Sequence, residues 1–276
     1  MGAADLLAGL ALGLWLFAAF AYGAKVLRRP GVVIEELRVL PGRSGLAALT
    51  VGGMAAATLL AVYAPGLAKG LIVLSLIGHG VLAVLLAQLL LRLPPESRQV
   101  NPTLHLSFVA FIVAGPAAIA VGWHGLAAVL LWLTLPIAVV IWAASAVQFA
   151  RAVPPPPLRP LLAIHVAPAA LLASVAGLLG FVALSNVLLV AGLALALVLA
   201  ASARWLLAAG VTPMWGALTF PLAVLAAALI RGGGVWQWIG IAVTAVALAV
   251  IPAVLWWVLK RWPGGKLAAV TNATEA

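Results

Sequence analysis

Nine long apolar stretches, at about 4–26, 45–64, 68–92, 103–121, 126–149, 160–180, 184–208, 213–230 and 236–259, constrain this chain more than any other feature. Each approaches the roughly 17 to 25 residues that a helix needs to cross a bilayer. Of the 276 residues, 66% are hydrophobic, against 15 Lys and Arg and 5 Asp and Glu, so a water-soluble fold would lack polar surface to cover its core. No stretch alternates with the period of two that a barrel strand requires. Helices close every backbone hydrogen bond within the segment, and the expected fold is therefore an all-α integral membrane protein with nine transmembrane helices in a single domain, 1–276.

The net charge of +10 does not form a basic face interleaved with aromatics, which argues against a nucleic-acid partner. Taking alternate connections, one side of the membrane receives Lys25, Arg28, Arg29, Arg38, Arg43, Arg92, Arg98, Arg151, Arg159, Arg204, Lys260, Arg261 and Lys266, and the other only Lys69 and Arg231. The richer side is cytoplasmic by the positive-inside rule, which places the C-terminus in the cytoplasm and, with nine spans, the N-terminus outside. The first helix carries Asp5 and no basic leader, and its positive charges follow it, so it reads as a retained span rather than a cleaved signal. Asn272-Ala273-Thr274 fits a glycosylation sequon but falls in the cytoplasmic tail and reads as chance. With no cysteine, disulfides and thiolate chemistry are excluded.

The long connections, "KVLRRPGVVIEELRVLPGRS", "LRLPPESRQVNP" and "RAVPPPPLRP", all fall on the cytoplasmic side, while outer turns such as "WHG" and "RGGG" are short. This makes four antiparallel hairpins preceded by one unpaired helix. The first helix of each of the last three hairpins carries a central proline: Pro116, Pro168 and Pro221, spaced by 52 and 53 residues. The second helix has Gly52-Gly53 at the comparable depth. Proline inside an α-helix costs roughly 3 kcal/mol. Such a break is best tolerated where the helix is buried in protein or borders a water-filled cavity, so the bent helices are expected to form an inner ring and their smoother partners to face lipid. Kinks that only improve packing are the competing explanation.

The acids Asp5, Glu35, Glu36, Glu96 and Glu275 all lie away from the expected membrane midplane, which leaves no obvious carboxylate relay for an ion-coupled pump. No phosphate loop, metal-ligand cluster or hydrolytic triad is present, so neither an enzyme, a metal nor a cofactor is expected. His124 sits in an outer turn, and His79 reads as a packing or hydrogen-bonding residue. His105 and His165 each lie near the cytoplasmic end of a proline-bent helix, as interfacial residues or as the lining of a vestibule whose charge they tune. Most of the eleven tryptophans, among them Trp123, Trp205, Trp215, Trp236, Trp238 and Trp262, lie near span ends, as an aromatic belt requires. A basic cytoplasmic mouth favours anions, whereas carbonyls freed by proline favour cations, and these residues alone leave the sign of the permeant ion open.

The segments "WGALTFPLAVLAAAL" (215–229) and "LRPLLAIHVAPAALLA" (158–173) resemble signature stretches of the tellurite-resistance/dicarboxylate transporter family, which includes bacterial TehA, plant slow anion channels and fungal malate and sulfite transporters. Weaker matches are "EELRVLPGRSGLAAL" and "NPTLHLSFVAFIVAGPAAIAVGW". The resemblance implies helical hairpins around a central pore, lined by the bent inner helices and occluded by a phenylalanine, which by motif is Phe220. It also implies a homotrimer with one pore per protomer. The family has ten spans, so the first inner helix has no counterpart here, through a truncated start or a true nine-span form.

The expected function is a gated passive channel or exporter of small anions in the bacterial inner membrane, with four-carbon dicarboxylates such as malate, or tellurite- and sulfite-type oxyanions, as candidate substrates. Phe220 would be the plug and Pro221 the kink that aims it. Thr219, Phe108, Phe111, Gly115, Pro116, His165, Pro168, Gly52 and Gly53 would form neighbouring wall. The rival readings are a proton-coupled dicarboxylate transporter relaying through His105 or His165, and a truncated, non-conducting family member.

Overall fold

The computed structural model describes residues 2–94 and 100–261, the Ala3 side chain excepted. Glu96, Arg98, Trp262, Lys266, Glu275 and the tripeptide at 272–274 lie outside the described residues. Within them the chain is helical, with no strand. They group into two compact units, one formed by 2–94 and 113–130, the other by 100–112 and 131–261.

In the first unit, α1 (Ala3–Arg28) leads through the short α2 (Val32–Arg38) into the hairpin of α3 (Leu40–Tyr63) and α4 (Pro65–Arg92), followed by α6 (Ala114–Ala120). The connection between α1 and α3 neutralises part of its own charge: Lys25 pairs with Glu36 at 2.8 Å and Arg29 with Glu35 at 2.7 Å. Trp15 of α1 donates its indole N–H to the Leu49 carbonyl of α3 at 2.9 Å. The Tyr63 hydroxyl at the far end of α3 bonds to the Asp5 carboxylate, so α1 is fastened near both its ends. His79 is fully buried on α4, its Nδ1 2.7 Å from Thr50 Oγ1 on α3, the helix-to-helix hydrogen bond expected of a polar residue inside a membrane hairpin.

The second unit holds α5 (Leu104–Phe108), α8 (Val166–Leu178) with α9 (Val182–Ala201), the short α10 (Ala203–Leu206), and α11 (Thr219–Gly232) with α12 (Gly234–Arg261). The helix α7 (His124–Arg151), with Pro136 inside it, contributes its residues from 131 onward. Tight turns close the two hairpins at Gly180 (φ 86°) and Gly233 (φ 68°), a backbone region in which a side chain would be strained. Residues 166 to 176 of α8 are buried without a gap, which suits a segment apolar on every side.

Among the described residues, eight helices are long and apolar enough to cross a membrane: α1, α3, α4, α7, α9, α12, and the two composite runs Pro156–Leu178 and Pro213–Gly232. The remaining expected span, 103–121, is divided into α5, a 3-10 turn at Ala110–Val113 and α6. In three of the hairpins the first element is more buried than the second. In the apolar core of Pro156–Leu178, 78% of residues are buried against 17% in α9, and in α3 44% against 22% in α4. The contrast is smaller for Pro213–Gly232 and α12, at 28% against 17%.

The structure corrects one expectation, that each central proline interrupts an α-helix. Pro116, Pro168 and Pro221 are each the third residue of an α-segment, and each segment follows directly on a 3-10 stretch: Ala110–Val113, Pro156–His165 and Pro213–Leu218. The first four N–H groups of an α-helix have no acceptor within it, so a residue that lacks an N–H fits there. The i−4 carbonyl that a proline ring would strike belongs to the 3-10 turn and is already displaced. The interior penalty of roughly 3 kcal/mol is thus largely avoided. Replacing Pro168 by Ala should lower thermal stability by about 1 kcal/mol, because only unfolded-chain entropy and a little buried volume are lost. A rise in the unfolding midpoint would mean that the proline is a strained helix interruption after all.

Candidate functional site

A 3-10 run longer than three or four residues is uncommon and often marks a hinge or strained functional segment. Here the runs ahead of α8 and α11 have 10 and 6 residues, the first containing Pro160 and both opening on a proline. Within the second unit these two runs pack against each other, and α11 lies along α8. Of the sequence-selected residues, Gly115, Pro116, His165, Pro168, Thr219, Phe220 and Pro221 stand at the junctions where 3-10 gives way to α.

At the third junction Thr219 is the first residue of α11, and its hydroxyl donates to the Gly216 carbonyl at 2.8 Å, holding the turn of 3-10 to the start of the helix. Phe220 follows, half-buried, and then the buried Pro221. At the second junction His165 closes the 3-10 run, with Ala167 and Pro168 buried behind it. Trp142 of α7 donates its indole N–H to the His165 carbonyl at 3.1 Å. At the first junction Gly115 is buried and Pro116 half-buried.

Aligning the junctions on their prolines gives Gly115, Ala167 and Phe220 the same register, one residue before the proline and second in the α-segment. Two of the three positions are small and buried, and the third carries a partly exposed phenyl ring.

Phe108, at the end of α5, lines an apolar groove of 290 Å³ together with Leu104 and with Pro136, Ile137, Val140 and Ile141 of α7. Phe111 is half-buried in the 3-10 turn that follows. Gly52 and Gly53 are closed over by neighbours: a Cβ on Gly52 would stand 2.7 Å from the Trp15 ring, and one on Gly53 would collide with the Ser75 hydroxyl of α4. Their small size permits the close approach of α1, α3 and α4.

Two features were not legible beforehand. His105 and His165, 60 residues apart and in no common repeat register, meet inside the second unit with His105 Nε2 3.0 Å from His165 Nδ1. By sequence both read as interfacial residues or vestibule lining, whereas His105 is only 2% exposed. The second feature is Arg159, assigned by sequence only to the cytoplasmic charge. Its guanidinium donates to the Pro154 and Trp205 carbonyls, both at 3.1 Å, and lies 4.4 Å from the centre of the Trp205 ring. The polyproline stretch before it was the available signal, since such a segment leaves carbonyls that need a donor.

A lysine cannot combine the planar stack with forked donation. Arg159→Lys should therefore cost about 1 to 2 kcal/mol of stability, read as a lower unfolding midpoint in detergent, although the charge is unchanged. An unchanged midpoint would reduce Arg159 to a topological charge.

The voltage-dependent anion channel family matches residues 2–259, nearly the whole chain. A comparison with curated proteins returns no match. The chain belongs to the voltage-dependent anion channel family.

Proposed function

We propose that this member of the voltage-dependent anion channel family is a gated, passive channel for small anions and that Phe220 is its gate. The observation that carries the gate is the shared register of Gly115, Ala167 and Phe220: the fold repeats one junction three times, and at the residue before the proline only the third carries a large apolar ring. A partly exposed phenyl ring fixed two residues into a helix can obstruct a narrow conduit sterically and by expelling water from it. Pro221, buried behind the ring, and the Thr219 hydroxyl bond hold the backbone that aims it.

The charge pattern supports an anion. No Asp or Glu occurs between Glu96 and Glu275, so more than half of the chain offers no fixed negative charge to repel an anion or attract a cation. His165, Pro168, Phe108 and Phe111 are proposed as further wall in the second unit, and Gly115 and Pro116 in the first. Four-carbon dicarboxylates and oxyanions of the sulfite or tellurite type are the proposed substrate range, the bacterial inner membrane the proposed location, and a homotrimer with one pore per protomer the proposed assembly. These finer assignments rest on the family resemblance of the motifs around Pro168 and Pro221.

Chloride and malate efflux from liposomes tests the gate directly. Phe220→Ala should raise flux about tenfold or more, the effect of removing at least roughly 1.4 kcal/mol of barrier. Unchanged flux in a variant that elutes and melts like the wild type would remove the assignment.

A further inference from the structure

The His105–His165 pair is an ionisable group in the apolar interior of the second unit that channel architecture alone does not explain. The two nitrogens at 3.0 Å share one hydrogen between them, with the rings edge to face at 84°. His105 Nδ1, on a residue 2% exposed, has no hydrogen-bond partner. The Trp142 ring lies 5.7 Å from the His105 ring, within the range where an aromatic face attracts a cation.

The groups around the pair are all basic or neutral. Its own 3-10 run carries Arg159, which is engaged with Pro154 and Trp205. Of the elements packed on that run, α10 carries Arg204 and α11 carries Arg231 in its last turn, while α8, α9 and residues 213–218 carry no charge. The helix α7, which supplies Trp142, bears His124 and Arg151 at its two ends. The second unit contains no carboxylate among its described residues.

We propose that the His105–His165 pair binds a single proton, and that it does so together with a small anion that supplies the missing counter-charge. This rests on the anion-channel reading. A proton taken from solvent converts one imidazole to imidazolium, which keeps the hydrogen bond to its neutral neighbour and strengthens it. Two protons would place like charges side by side, so the pair takes one. A buried cation without a counter-ion is costly, and in this unit a negative charge can arrive only with the solute. Proton and anion therefore raise each other's affinity by the same factor.

Histidine 15N spectra of the full-length protein in nanodiscs test this, with chloride as the probe, bulky gluconate as the control, and flux measured on the same preparation. The chain has four histidines, and His105→Gln and His165→Gln spectra assign the pair. At about pH 5.5, chloride should move the His105 and His165 signals toward imidazolium, gluconate should not, and His124 should respond to neither. Chloride affinity should rise toward about tenfold per unit fall in pH where the pair titrates, and lose that dependence in His105→Gln. Intact flux with no chloride-dependent movement would overturn the inference and leave the channel reading standing, as would equal movement in gluconate. Movement without flux would support the proton site and remove the channel reading; neither movement nor flux would overturn both.

Discussion

A backbone that crosses hydrocarbon has to satisfy its hydrogen bonds within itself, and three segments of this chain do so while changing helix type partway. The switch from 3-10 to α just ahead of each proline of the repeat lets residues without an N–H stand inside a span with little loss. Much of the rest follows from that junction. At the second junction the α-segment is packed on every side, α8 being buried from residue 166 to 176 while its partner α9 is mostly exposed. The junction also fixes the second residue of each α-segment, the position at which Gly115, Ala167 and Phe220 differ in size but not in place.

Charge is distributed as sharply as helix type. The ion pairs Lys25–Glu36 and Arg29–Glu35 lie in the connection between α1 and α3, in the first unit. From residue 100 to residue 261 no acid occurs, and two arginines there engage aromatic faces instead, Arg159 the Trp205 ring and Arg261 the Trp257 ring at 3.8 Å. A permeation path assembled from such material is hospitable to negative solutes, and the same shortage of acid makes a buried histidine pair dependent on a solute for its counter-charge.

Much of the architecture was legible in the sequence because membrane helices announce themselves by length and hydropathy, and the hairpin order by short outer turns and the proline period. The segment 103–121 is the informative exception. Its composition is that of a span, yet residues 110 to 113 take the tighter 3-10 form, which hydropathy cannot register. The exact helix type around Pro168 and Pro221 was hidden for the same reason. The residues at the junctions were found because proline and the Thr-Phe-Pro motif mark them. The histidine pair was not, because contact between residues 60 positions apart depends on packing of α5 against the 3-10 run before α8, and neither histidine sits in the repeat register that guided the reading.

The central claim is that a chain of helices without fixed negative charge over more than half its length conducts small anions passively. Current through the reconstituted wild-type protein in a potassium chloride gradient tests it most directly. The account predicts a reversal potential close to the chloride equilibrium potential, with no shift when a pH gradient is removed at constant voltage. A reversal potential close to that of potassium, or no current from correctly folded protein with Phe220 replaced by alanine, would contradict it.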